Sequence, residues 1–583
     1  MNETFTARSL SKHAGAVDPE TCKISCRLAI LGYRSTQFLS KFIKEAGLIS
    51  GIRVELYEAG YDQVEMEIIN PASGLYKFAP QVVLIVNSLS KLHNQFYDLS
   101  GDEKRLFSSR ILDTFAHLSA TILSQTTSRI FITNLEDKPD GVFGNFSNKT
   151  RASFSNQIRR INVGFMDLAE AESNLHVVDV AALSGLLGIE KFEDRGLYLA
   201  ADIPYTLDTE AKIAVECVSM IQVMMGHIRK CLIMDLDNTL WGGTVGDDGI
   251  EGITIGPAGP GKAFTELQKW IKQLKERGIM LAVCSKNEET LAKEVFLTRG
   301  EMILRLDDIA AFVANWNNKA DNIRHIQQLL NIGFDSMVFL DDNPAERTLI
   351  RHTLPEVLVP ELPADPAHYL PFLSRMNLFE TPSFSSQDQT RTQQYQTESQ
   401  RKAVASSYTD MDSFLQSLEM KGQIVPFQDI HIPRIAQLSQ RSNQFNLRTI
   451  RYSEAEVKHI QASPGYLHFS VSLEDKFGSY GLISIVVMKQ IDDRSLFIEN
   501  WLMSCRVMQR GVERFVLNKL VQKAKDMGFE RLTGEYLPTD KNNPVENHYQ
   551  TLGFTKNEQG LWELSPADFI LLKHHISEES TIG

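Results

Sequence analysis

The sequence predicts a multidomain α/β protein: two successive units of parallel sheet covered by helices, then a unit of mixed α+β character. Three observations predict it. At 583 residues the chain exceeds what one hydrophobic core serves, so about three domains are expected. From residue 27 onward, short apolar runs alternate with longer amphipathic stretches, the pattern of strands joined by covering helices. Polar residues follow the apolar runs at once, and ligands of open parallel sheets gather at the carboxyl ends of their strands.

The first unit, residues 1–225, has apolar runs at 28–31, 82–86, 130–132 and 176–178 and closes with a helical segment over 209–225. The second, residues 226–380, opens at 231–234 and continues into a helix whose Phe264, Leu267, Ile271 and Leu274 share one face. Gly278 is placed to stop that helix. Strand-like runs follow at 279–283 and 337–340. Residues 381–410 turn polar, dominated by Ser, Gln, Thr and Arg, and read as a linker. The third unit, residues 411–583, carries strand-like runs at 466–471, 482–488 and 496–502 before a helix over 511–527, an order similar to an acyltransferase-like core.

Composition narrows the function. With 43% hydrophobic and 23% charged residues the chain is that of a soluble globular protein, and no apolar stretch approaches bilayer-crossing length. A membrane protein is therefore excluded. The first twenty residues lack a charged start followed by an apolar run, so export is not expected and a cytoplasmic location is. A net charge of −13 disfavours nucleic acid and anionic membrane as partners. The six cysteines, Cys22, Cys26, Cys217, Cys231, Cys284 and Cys505, are too scattered for a disulfide framework.

Four separated elements carry the chemistry. In Asp235-Leu236-Asp237-Asn238-Thr239, an aspartate at the end of a buried strand can attack a phosphoryl group. A second aspartate two residues on can protonate the leaving oxygen and then activate water. Ser285, just after the run 279–283, can hold phosphate oxygens together with nearby backbone N–H groups. Lys319, in Asn317-Asn318-Lys319, can offset charge on both phosphate and nucleophile. Asp341 and Asp342, after the run 337–340, complete an oxygen-rich Mg²⁺ site with Asp235 and the main-chain carbonyl of Asp237. A lone D-x-D-x-T is more often a solvated turn, but four polar clusters in this order rarely arise from capping alone.

These residues invite a comparison. The string KCLIMDLDNTLWGGTVGDDG at 230–249 resembles the signature of the FkbH-like family of haloacid dehalogenase (HAD) superfamily glyceryl transferase/phosphatases, subfamily IIIC. Ser285-Lys286-Asn287, the Asn315-Trp316 approach to Lys319, and FLDDNP at 339–344 look like the family's remaining HAD motifs. So do NQFN at 443–446, Phe477-Gly478 and Ser504-Cys505-Arg506. The resemblance implies an SGNH-hydrolase-like α/β domain, a HAD-like Rossmannoid domain with a parallel sheet, and a C-terminal GNAT-like α+β domain. It implies that the glyceryl unit of 1,3-bisphosphoglycerate is moved to an acyl carrier protein, a separate chain, with loss of phosphate, for polyketide biosynthesis. Thr239, Ser285, Lys286, Asn287 and Lys319 are then the phosphate-binding set.

Such a transfer asks for a thiolate. Cys284, directly before Ser285, is the first candidate acyl acceptor, and the alternative reading is a small apolar residue finishing the strand. Cys505 is the second candidate, with a buried structural thiol as the plainer reading. The stretch 506–511 resembles an acyltransferase phosphate loop, with Gln509 where a glycine usually stands. The N-terminal unit departs from its namesake, since Gly32-Tyr33-Arg34-Ser35 lacks a Gly-Asp-Ser element. It reads as non-catalytic, with Ser35 as a helix cap and His176 and Asp179 as ordinary strand-end residues. Ser413, in the carrier-like string Asp412-Ser413-Phe414, also reads as a cap.

Overall fold

The computed structural model describes residues 6–22, 24–384, 397, 401, 408 and 410–579. The chain divides into two compact units, Met1–Gln222 with Ser453–Glu456, and Val223–Tyr452 with Val457–Gly583. The second unit gathers the sheets of both later expected domains. Among the described residues, no helix is long and apolar enough to cross a membrane.

The first unit is built on five parallel strands: β1 (Ile24–Gly32), β2 (Ile52–Glu58), β3 (Val82–Val86), β4 (Arg129–Thr133) and β5 (Leu175–Val178). Their order is β2-β1-β3-β4-β5, a doubly wound arrangement. All five residues of β3 are buried, as expected of a strand covered on both faces. Ser35 does not cap the helix Gln37–Ile49, whose N-cap is Thr36. His176 lies in β5 with its ring 5.9 Å from Phe131, and Asp179 caps the helix Val180–Leu187 by accepting from Ala182 N at 2.9 Å.

In the second unit, β6 (Cys231–Met234), β7 (Met280–Ser285), β8 (Ile309–Ala314) and β9 (Met337–Leu340) form a parallel sheet in the order β8-β7-β6-β9. Alternation sends Met234, Leu281, Val283 and Leu340 to one core and Ile233, Ala282, Cys284 and Phe339 to the other. Strand β7 runs two residues past the expected 279–283, because Cys284 and Ser285 pair with Val313 and Ala314 of β8. The helix Gly261–Glu276 buries the expected apolar face, and Gly278 follows it with φ 97°, a conformation glycine takes without strain.

The third sheet holds β10 (Met420–Val425), β11 (Tyr466–Asp475), β12 (Gly478–Asp492), β13 (Ser495–Met503), β14 (Arg531–Gly534), β15 (Thr555–Lys556), β16 (Trp562–Leu564) and β17 (Ile576–Glu578). Its order is β15-β16-β14-β13-β12-β11-β10-β17. Strand β13 runs antiparallel to β12 but parallel to β14, and only Ser495–Ile498 pairs with β14, so the rest of β13 extends beyond its neighbour. The following loop keeps a glycine-like turn without glycine: Gln509 has φ 66° and Gly511 has φ 77°, leading into the helix Val512–Asp526. Ser413 is not a cap either; Asp410 caps the helix Met411–Ser417 and accepts from Ser413 N at 2.8 Å.

Of the expected linker, residues 385–396, 398–400, 402–407 and 409 lie outside the described residues. Within it, Arg401 is buried, its guanidinium donating to both oxygens of Asp475 at 2.8 and 2.7 Å.

His548 is sealed among Phe445, Trp501 and Tyr549 with ring separations of 4.9, 4.6 and 5.6 Å. Burial lowers its pKa from 6.5 to about 3. Above pH 6.5 the ring is neutral folded or unfolded and contributes nothing to the pH dependence. Between pH 6.5 and about 3 the unfolded chain binds a proton that the folded chain refuses, so stability falls as pH falls. Urea unfolding of His548→Phe at pH 7 and pH 5 is expected to show a smaller loss on acidification than the wild-type chain shows.

Candidate active site

Each strand of the four-stranded sheet delivers one part of the site at its carboxyl end. After β6 come Asp235 and Asp237; β7 ends in Ser285, with Asn287 two residues on; β8 leads to Lys319; β9 leads to Asp341 and Asp342. The apolar strands are buried on both faces, so the first polar residue after each emerges at the same sheet edge. The turn after β6 depends on Asn238, which takes the left-handed φ of 53° and accepts from Gly243 N at 2.9 Å. Asp235 N donates to Leu340 O at 2.9 Å, tying this turn to the end of β9.

Lys319 is the electrostatic centre. It is the first residue of the helix Lys319–Leu330, capped by Asn318, whose side chain accepts from Ala320 N at 2.7 Å. Its ammonium lies 3.0 Å from Asp235 Oδ2 and 2.6 Å from Asp341 Oδ2, with 3% of the side chain exposed. Burial opposes the ammonium's charge, yet Asp235 and Asp341 together hold its pKa above the ordinary lysine value. Burial, and then the charge of Asp235, push Asp341 up to about 6, and the same causes raise Asp342.

Ser285 Oγ donates to Asp235 Oδ1 at 2.6 Å. Asn287 Nδ2 reaches Ser285 Oγ at 3.1 Å and Asp237 Oδ2 at 3.0 Å, linking the two aspartates through β7. The carboxylate of Asp237 also accepts from Trp241 Nε1 at 2.9 Å and Val245 N at 3.1 Å. Its carboxylate is thus held by three donors and lies outside the cluster of Asp235, Asp341 and Asp342. Thr239 is fully buried and accepts from Asp342 N at 3.1 Å, so it braces the β9 loop.

Carboxylate oxygens of Asp235, Asp341 and Asp342 lie within 4.8 Å of one another. An all-oxygen set suits a hard divalent cation. The charges agree, since three carboxylates face one buried ammonium and the ionised set carries an excess that a divalent cation matches. Arg347 holds the loop in place by donating to Asp341 O at 2.9 Å and Asp342 O at 2.6 Å.

Two expected site residues are not brought to this cluster. Lys286 pairs with Glu346 at 2.6 Å, its side chain 42% exposed. Cys284 is fully buried in the opposite core, its thiol donating to Lys319 O at 3.7 Å, and burial pushes the thiol pKa well up. A sealed, protonated thiol is no acyl acceptor, and strand alternation is the physical reason for this correction. Cys505 is half-buried, with Sγ 3.3 Å from Asn331 O. Trp241 and Arg347 were not foreseen as site residues. The only signal for Trp241 is its place in the 230–249 string; Arg347 lies in the helix Pro344–Thr353, a few residues after the carbonyls it holds, and no motif marks it.

A family model described as FkbH, N-terminal domain, matches residues 27–222. A comparison with curated proteins finds no match. Among solved structures, the N-terminal part of the protein BF1531 from Bacteroides fragilis, described as containing a phosphatase domain complexed with Mg, is 42% identical at a TM-score of 0.62. That match covers 65% of this chain and all of the other. The ribosomal-protein-S18-alanine N-acetyltransferase from Escherichia coli matches at 16% identity and a TM-score of 0.20, over 25% of this chain and 93% of its own. The spermidine N-acetyltransferase from Vibrio cholerae, in complex with CoA and spermine, matches at 16% and 0.21, over 25% of this chain and 96% of its own. With its N-terminal domain matched and its full-length coverage of a 42% identical phosphatase-domain structure, the chain belongs to the FkbH-like family of the HAD superfamily.

Proposed function

We propose that the protein transfers the glyceryl group of 1,3-bisphosphoglycerate to an acyl carrier protein and removes the remaining phosphate, giving a glyceryl thioester for polyketide-type biosynthesis. The observation that carries the reading is the convergence of Asp235, Lys319 and Asp341 within 3.0 Å contacts at one sheet edge. The acyl phosphate carbon is attacked by the thiolate of the carrier's arm; the C–S bond forms, the C–O bond to phosphate breaks, and inorganic phosphate leaves. For the remaining phosphate ester, Asp235 attacks phosphorus and Asp237 gives its proton to the departing hydroxyl oxygen. Water then attacks the aspartyl phosphate while Asp237 takes the water's proton. Ser285 and Asn287 orient the nucleophile and the phosphoryl oxygens, and Lys319 offsets their charge.

Asp235, Asp341 and Asp342, with the Asp237 carbonyl, would hold Mg²⁺, which would supply Lewis-acid stabilisation of the phosphoryl oxygens. The magnesium in the Bacteroides fragilis relative supports that choice of cation.

A phosphatase acting on a small phosphate ester is the second reading. The 42% identical Bacteroides fragilis structure, described as containing a phosphatase domain, favours it. Both readings share Asp235, and only the first needs a carrier.

Incubation with 1,3-bisphosphoglycerate and phosphopantetheine-loaded carrier, read by mass spectrometry, is expected to add a glyceryl mass to the carrier. An unmodified carrier alongside continued phosphate release would leave the phosphatase reading. Asp235→Asn is expected to lower phosphate release from a phosphate ester by at least roughly a thousandfold. Cys284→Ala is expected to leave both release and transfer near wild type, because its sulfur is sealed from the site. Lys319→Met leaves buried carboxylates without their ammonium and is expected to cost roughly 3–5 kcal/mol in EDTA. Magnesium should restore part of that loss in a thermal melt; a melt insensitive to magnesium counts against the metal assignment.

A further inference from the structure

The first unit contains a cavity of about 330 Å³ that phosphoryl chemistry does not use. It lies at the carboxyl ends of β3 and β4: Ser90 and His93 follow the first strand, Glu136 and Asp140 the second. Open parallel sheets take ligands at this edge, and the volume lies at the lower end of small-molecule pockets, roughly 300–1,000 Å³.

Its lining has a sign. Four carboxylates, Glu136, Asp140, Glu193 and Asp194, face two cations, Lys138 and Arg195. Most of these charges already have work. Lys138 pairs with Glu193. Asp140 accepts from the Tyr97 hydroxyl at 2.6 Å, and Asp194 caps the helix Arg195–Ala201. Glu136 differs from the other three because it lines the cavity while only 2% exposed. It accepts from the Tyr205 hydroxyl at 2.7 Å, a neutral donor.

A buried cation also packs on Tyr205: the Arg34 guanidinium lies 4.6 Å from its ring. It is already committed to Glu210 through bonds of 2.6 and 3.2 Å. One buried guanidinium thus serves two buried carboxylates. Burial raises the pKa of Glu136, the expected response of a carboxylate lacking a cation of its own. A ligand that brings a positive charge relieves this imbalance. The cavity wall also includes the rings of Phe154 and Tyr198, which suit an apolar body; Arg195 already lies 5.0 Å from the Tyr198 ring, so the ligand's cation is left to Glu136.

We propose that this cavity binds a small molecule carrying a protonated amine, with the ammonium against Glu136 and an apolar body against Phe154 and Tyr198. The site is independent of the aspartate cluster and needs neither magnesium nor a carrier.

Calorimetric titration of the full chain tests it with three probes of matched shape: 2-phenylethylamine, 2-phenylethanol and 3-phenylpropionate. The amine is expected to bind at least roughly tenfold more tightly than the alcohol or the acid. Glu136→Gln should weaken the amine by a similar factor and leave the alcohol unchanged. Ser90→Trp, which fills the cavity and leaves Glu136 in the chain, should abolish amine binding even where Glu136→Gln folds poorly. Phosphate release by both variants should stay at the wild-type level, which separates this site from the other. Equal affinity for amine and alcohol, preference for the acid through Lys138 and Arg195, no heat with millimolar amine, or full binding by Ser90→Trp would each overturn the proposal.

Discussion

The burial of one ammonium among carboxylates is the constraint on which the rest of the second unit depends. Lys319 cannot be buried without Asp235 and Asp341, and those carboxylates cannot approach one another without a cation between them. The fold meets this condition by starting the helix Lys319–Leu330 where the chain leaves β8, while the chains leaving β6 and β9 bring the acids from the other side. The surrounding hydrogen bonds follow from it. Ser285 and Asn287 hold the outer oxygens of Asp235 and Asp237, and Arg347 takes the two carbonyls of the β9 loop.

The parts of this charged arrangement are tied to one another by hydrogen bonds. Asp237 is held by Trp241, by a backbone N–H and by Asn287, so its position relative to Asp235 is set before substrate arrives. Asp235 and Asp341 stand directly after β6 and β9, and Lys319 opens the helix that follows β8, so none of the three hangs on a long loop. Preorganisation of this kind lets a charged site act on developing charge without reorganising at the moment of reaction.

Much of this site was legible in the sequence because strands buried on both faces read as unbroken apolar runs. The end of such a run marks the sheet edge, and Asp235 and Asp341 stand directly after Cys231–Met234 and Met337–Leu340. The same logic failed by two residues at β7. Pairing with β8, whose small-residue run Ile309–Ala314 drew no notice as a strand, carries β7 through Cys284 and Ser285. One more step of alternation then turns the Cys284 sulfur into the far core. Lys286 went astray for a different reason: its partner Glu346 is brought to it only by the fold. Ser35 and Ser413 failed as caps because neighbouring residues, Thr36 and Asp410, hold the N-cap positions.

The measurement that bears most directly on this account is acid quenching of the protein during turnover of a phosphate ester with magnesium, followed by borohydride reduction and peptide mass spectrometry. An aspartyl phosphate at the strand end is reduced to homoserine, and the account predicts that conversion at position 235 alone. Homoserine at position 237, 341 or 342, or steady turnover with no reduced aspartate anywhere, would contradict it.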